Sequence, residues 1–237
     1  MIGHELVGTA QVPDGVELRL MRRGDEFTIV LERNELMNTR VSKSEEALAT
    51  MTSERLGARE GSEWLVGGYG MGFTLRAALK ALGADATLTV AEIVPEIIEW
   101  ARGPMEALTA GCLEDPRVVL VNDDVAMLID SARDAYDAIL LDVDNGPDGL
   151  VRRVNDCLYS NNGLLAAKAA LRARGILAIW SAHTDANFTR RLQKAGFEVD
   201  VVRVRSRPNG KGAQHVIWFA RKAAAAAAPA TPAAVAA

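Results

Sequence analysis

The chain has 237 residues, 49% of them apolar and 24% charged, which predicts one large globular domain with a small appendage and excludes a small disulfide-stapled scaffold. A formal net charge of −4 supplies no overall cationic field, so nucleic acid is not an expected partner. Cys112 and Cys157 stand apart from any Cys-x-x-Cys or His-x-x-x-His spacing, so neither a disulfide framework nor a metal centre is expected. The first residues lack a basic start followed by an apolar run, and no stretch approaches the roughly 18 apolar residues of a membrane span; a cytoplasmic protein without a membrane partner is the expectation.

In chain order, Val16 to Met21 and Phe27 to Leu31 flank Arg-Arg-Gly-Asp-Glu and read as a β-hairpin. An exposed strand pair rarely stays unpaired, so this hairpin is also a candidate homodimer surface. A helix follows over Ser44 to Leu56, with Ser42 or Ser44 as cap and Glu45 and Glu46 suited to the positive end of its dipole. From Trp64 onward, short β-branched runs alternate with segments of helical period. The predicted strands are Glu63 to Val66, Thr87 to Glu92, Val118 to Val121, Ala138 to Leu141, Ile176 to Ser181, Val199 to Arg205 and His215 to Ala220. The predicted helices are Thr74 to Leu82, Glu96 to Ala110, Val125 to Ser131, Leu164 to Arg172 and Ala186 to Lys194. The connection after Arg205 is too short for a crossover helix, so the last two strands must be antiparallel. The expected fold class is α/β: a Rossmann-like seven-stranded, mostly parallel sheet with an antiparallel last strand, preceded by a small N-terminal β-hairpin. The expected divisions are 1–56, 57–222 and a disordered Ala/Pro tail over 223–237.

The most informative segment runs from Trp64 to Leu79, where a strand turns through Gly67, Gly68, Gly70 and Gly72 into a helix. Glycines let backbone pass close to a ligand. Neither register completes the G-x-G-x-x-G of a dinucleotide site, because Phe73 or Leu75 stands at the third position. Glu92 ends the next strand 20 positions after Gly72, where a carboxylate accepts from ribose hydroxyls. Gly68, Gly70, Gly72 and Glu92 are therefore candidate cofactor-binding residues. Asp123 and Asp124 follow the third strand and are candidates for holding adenine, with capping of the helix at Val125 as the alternative.

After the fourth strand, Asp142, Asp144 and Asp148 group beside a Gly-Pro turn. Three acids at a ligand-facing strand end suit a cationic nucleophile such as an amine; capping of the loop and a hard metal ion are the alternatives. Tyr159 either lines that pocket or packs at a helix start. His183 reads as a capping or solvent-facing loop residue with a base as the alternative, His215 as structural, Trp180 and Trp218 as core, and Arg203, Arg205, Arg207 and Lys211 as a solvated basic face.

These motifs in this order resemble the polyamine aminopropyltransferases, the spermidine synthase-like proteins, which share the class I S-adenosylmethionine methyltransferase fold. The resemblance runs from the hairpin to about Ala220. It rests on the glycine turn followed by Thr74-Leu75-Arg76, Glu92 in Val-Ala-Glu-Ile-Val-Pro-Glu, Asp124 in Asp-Asp-Val-Ala, Tyr136 to Asp142, and Leu158-Tyr159-Ser160. It implies that Glu92 holds ribose, that Asp124 or its neighbour holds adenine, and that Asp142 is the catalytic acid receiving a small-molecule amine; on chemical grounds Asp144 or Asp148 would attract a distal ammonium of that substrate, with Tyr159 a candidate to line the same pocket. Decarboxylated S-adenosylmethionine, or S-adenosylmethionine itself, is the implied co-substrate, with no metal. The chain departs from the family in three places: Met71 replaces an acid of the glycine motif, Asn145 replaces the second acid of the Asp-x-x-Asp-Pro loop, and the segment from Glu35 to Glu46 replaces a Tyr-His-Glu run. Methyl transfer from S-adenosylmethionine and a non-catalytic nucleoside-binding role are the competing expectations.

Overall fold

The computed structural model describes residues 3–13, 15–143, 156–207 and 210–224. The N-terminal part is larger than a hairpin. Strands β1 (Glu5–Gln11), β2 (Glu17–Arg23), β3 (Glu26–Leu31) and β4 (Asn34–Asn38) form one antiparallel sheet in sequence order. Only β2 and β3 show clean alternation, with Leu18 and Leu20 and then Phe27, Ile29 and Leu31 turned inward. β1 and β4 each bury a single residue, Ala10 and Asn38, so their period-2 signal is faint. The small sheet packs on helix α3 (Pro95–Arg102). There β1 passes so close to Trp100 that a Cβ on Gly8 would meet the indole Nε1, and the β1–β2 register shifts between Leu6 and Gly8.

Helix α1 (Lys43–Leu56) joins the small sheet to the large one. The large sheet comprises β5 (Glu63–Gly67), β6 (Thr87–Ala91), β7 (Val118–Val121), β8 (Tyr136–Leu141), β9 (Leu171–Ser181), β10 (Phe197–Arg205) and β11 (Gln214–Lys222), in the order β10-β11-β9-β8-β5-β6-β7. β11 is the reversed strand, antiparallel to both neighbours, and it lies between β9 and β10 rather than at the sheet edge. The other connected pairs, β5 with β6 and β8, β6 with β7, and β8 with β9, are parallel. Strand order reverses between β5 and β8, so a crevice is expected outside their C-terminal ends.

Strand alternation assigns side chains to two cores. Trp64, Val66, Ala138, Leu140, Ala178 and Trp180 join the small sheet, α1 and helix α2 (Phe73–Ala81), whereas Leu65, Ile139, Leu141, Leu177 and Ile179 face the opposite layer. That second layer holds helices α5 (Val125–Ser131), α6 (Asp156–Tyr159), α7 (Asn161–Ala170) and α8 (Ala186–Lys194). Asp142 follows Leu141 and so falls on the face of Leu140, toward α1 and α2.

Two predicted helices end early. The segment from Glu96 to Ala110 breaks at Gly103-Pro104 into α3 and the short α4 (Glu106–Thr109), because the proline ring cannot continue the helix. The segment predicted as helical to Arg172 stops at Ala170, and β9 begins at Leu171. Residues 172–175 bulge out between Leu171, opposite Tyr136, and Ile176, opposite Ala138. The bulge has a purpose: Arg172 and Arg59 reach the buried Asp137 at 2.7 and 2.6 Å, and Glu63 N–H donates to the same carboxylate at 3.0 Å. Most of the predicted tail, residues 225–237, lies outside the described residues.

Candidate active site

A cavity of about 150 Å³ opens at the strand-order reversal. Its floor is the turn from β5 into α2. Gly68, at φ +83°, could not carry a Cβ without crowding the Asp142 carbonyl oxygen at 3.0 Å, and Gly70, at φ +55°, lies against the Met37 thioether. Gly72, at φ +72°, caps α2 behind the turn and faces the Tyr69 ring rather than the cavity.

Glu92 stands at the end of β6, 4% exposed. Its Oε2 accepts from Tyr69 N–H and its Oε1 from Val94 N–H, both at 2.9 Å. One side chain thereby ties the glycine turn to the loop entering α3. Burial raises its pKa, and the backbone N–H groups oppose that shift. Asn122 Nδ2 donates to the Glu92 carbonyl oxygen at 2.7 Å, fixing the β7 end beside it. Asp123 and Asp124 both line the cavity. Asp124 Oδ1 also accepts from Ala126 N–H at 2.8 Å, capping α5, and Asp123 Oδ1 accepts from Asp124 N–H at 2.8 Å. The capping and ligand-facing placements thus coincide in Asp124.

The cavity also meets two further acids, Asp142 just after β8 and Glu45 from the first turn of α1. Thr74 Oγ1 lies 3.2 Å from an Asp142 oxygen and 3.2 Å from the Glu45 carbonyl oxygen. The hydroxyl has one proton, so it donates to one of these two acceptors at a time, the Asp142 carboxylate or the Glu45 carbonyl. Burial raises the Asp142 pKa, partly offset by the Thr74 hydrogen bond. Burial also raises Glu45, followed by the charge of Asp142. Another part of the wall is apolar: Leu18, Ile29 and Leu31 come from the small sheet and Val12 from the loop after β1, with Trp180 from β9.

The raised Glu45 pKa carries a stability consequence. A carboxyl with a higher pKa in the folded state makes the native protein bind more protons than the unfolded chain, so stability falls as pH rises from the ordinary carboxylate range toward neutrality. Glu45→Gln is expected to retain more of its stability between about pH 5 and about pH 8 than the wild type does, read from urea midpoints. Equal losses in the two proteins would contradict this.

No family model matches the chain. Among solved structures, spermidine synthase from Thermotoga maritima superposes over 92% of this chain and 73% of its own, with a TM-score of 0.72 at 20% sequence identity. The chain has the spermidine synthase fold. A second solved spermidine synthase, in complex with the transition-state analogue AdoDATO, gives a TM-score of 0.71 at 20% identity over the same shares. In sequence, the chain is 28% identical over 166 residues to the polyamine aminopropyltransferase of Mycobacterium tuberculosis (strain H37Rv), covering 69% of this chain and 30% of that protein. It is 36% identical over 83 residues to polyamine aminopropyltransferase 1 of Streptomyces coelicolor, covering 34% of this chain and 15% of that one. The chain therefore matches less than a third of the length of these curated relatives.

Within the spermidine synthase fold, the structure gathers Gly68, Gly70, Glu92, Asp123, Asp124 and Asp142 around one cavity. Asp144 and Asp148, with Asn145, lie outside the described residues. Tyr159 is buried in the second core, where its ring packs edge-on against Phe188 and its hydroxyl donates to the Val143 carbonyl at 3.4 Å. Met71, in the glycine turn, is fully buried in the core. His183 is exposed beside Ser181, and Trp218 is core; Trp180 is buried yet touches the cavity. Sequence reasoning missed Glu45 as a site residue, reading it as a partner for the helix dipole. The signal was periodicity: Glu45 shares a helix face with Leu48, Ala49 and Thr52, all buried.

Proposed function

We propose that the chain transfers an aminopropyl group from decarboxylated S-adenosylmethionine to a small amine such as putrescine. The observation that carries this reading is the acid pair of buried Glu45 and half-buried Asp142, which share one cavity with the glycine turn and Glu92. A cationic amine is drawn to two carboxylates, and acids with raised pKa values suit taking up the proton it must give up there.

Glu92 accepts from the ribose hydroxyls, the glycine turn lets the donor lie against the backbone, and Asp124 faces the base. The amine nitrogen sits at Asp142. Its proton passes to the acid pair, the nitrogen lone pair attacks the carbon next to the sulfonium, the new C–N bond forms as the C–S bond breaks, and the bonding electrons neutralise the sulfur. The leaving thioether needs no protonation, so the residues contribute alignment and proton removal. The aliphatic wall from the small sheet keeps water from the reacting carbon.

Calorimetric titration with the two donors tests the donor assignment. The decarboxylated donor is expected to bind more tightly, because the α-carboxylate of S-adenosylmethionine would be brought toward Glu45 and Asp142 when these are charged. Tighter binding of the intact donor would favour methyl transfer instead.

A further inference from the structure

We propose that Ser44 and His215 carry the acceptor's proton out of the cavity from Glu45, delivering it to the partly exposed end of β11. The proposal rests on the aminopropyl-transfer reading. A primary ammonium and a sulfonium give a secondary ammonium, a neutral thioether and one proton, and that proton must leave the cavity. Asp142 and Glu45 take it first. What distinguishes Glu45 is its connection on the side away from Asp142.

Ser44 is completely buried, yet the cap position of α1 belongs to Ser42, whose hydroxyl goes to Glu46 at 2.8 Å. Ser44 Oγ instead donates to Glu45 Oε2 at 2.6 Å and lies 2.8 Å from His215 Nδ1. The three groups form an unbroken hydrogen-bonded file from the cavity to a strand residue of intermediate exposure. A hydroxyl accepts and donates at once, so the file can reverse its direction. When Glu45 is protonated it gives its proton to Ser44 Oγ as Ser44 gives its own to His215 Nδ1. The imidazolium then releases the proton on Nε2 to solvent; one proton enters the file and one leaves it.

The surroundings suit this task. The Trp180 ring meets the imidazole edge-on, with centroids 4.7 Å apart, and fixes its plane. The ionisable groups facing the file are Glu46 from α1, Asp142 from β8, and His183 after β9. Burial, then the neighbouring His183, holds the His215 pKa below its ordinary value, so the ring is neutral when the proton arrives and gives it up readily.

The test follows methylthioadenosine formation from decarboxylated donor and putrescine by the full chain, in dilute buffer and with rising imidazole. His215→Gln is expected to lose about 10-fold or more in turnover in dilute buffer. Donor KM should be unchanged and the rate should return as imidazole rises. Ser44→Ala should show the same loss, and the double variant should be no slower than either. Wild-type turnover in both single variants at every imidazole concentration would overturn the relay. Nuclear magnetic resonance of the His215 ring nitrogens gives a reading independent of turnover: the tautomer ratio should change as Glu45 titrates, and that change should vanish in Glu45→Gln. An identical titration in both proteins would overturn the relay. Absence of methylthioadenosine from the wild type would overturn only the transfer reading, leaving the ring titration to decide the relay.

Discussion

Asp142→Asn is expected to lower turnover about 100-fold or more while leaving donor affinity nearly unchanged. The substitution keeps the volume and one acceptor oxygen for Thr74 at 3.2 Å but removes the basicity that the amine requires. It also removes the charge that raises Glu45, so the Glu45 pKa should fall and the activity remaining should follow that lower value. Single-turnover rates across pH, together with calorimetric donor binding, separate the two effects. If Asp142→Asn turned over normally but melted much earlier than the wild type, Asp142 would be a loop-stabilising residue, and the amine-transfer chemistry would lose its principal support.

Replacing Glu92 by Ala is expected to weaken donor binding by about 1–3 kcal/mol and to lower stability as well, since Tyr69 N–H and Val94 N–H lose their acceptor in a buried place. Glu92→Gln should not rescue the loss. Both carboxylate oxygens face backbone donors, so one of them would meet the new amide NH2 wherever the side chain turned. Donor affinity from calorimetry and melting temperature of the unliganded protein check the pair of effects. A Glu92→Ala variant with wild-type donor affinity would remove the ribose assignment even if its stability fell.

Much of this architecture was legible before any coordinates. Helices α5 and α8 match their predicted limits because their starts carry side-chain caps, Asp124 and Asp185, that leave little room for error. Asp142 was placed at the cavity because an acid directly after an apolar parallel strand has nowhere else to go. Other features were hidden for physical reasons. β1 and β4 bury almost nothing, so their pattern resembles loop. Arg172-Ala-Arg-Gly reads as a helix end, but the buried Asp137 draws Arg172 into a bulge of the next strand, a tertiary demand that local propensity cannot express. Glu45 was obscured because two adjacent acids at a helix start look alike on dipole grounds; only the buried face of α1 tells them apart.

Mass spectrometry of the nucleoside product is the most direct measurement. The purified chain, supplied with putrescine and both donors, is expected to release methylthioadenosine from the decarboxylated one. Release of S-adenosylhomocysteine from the intact donor, with no methylthioadenosine, would contradict aminopropyl transfer and assign the acid pair at Asp142 and Glu45 to a different acceptor.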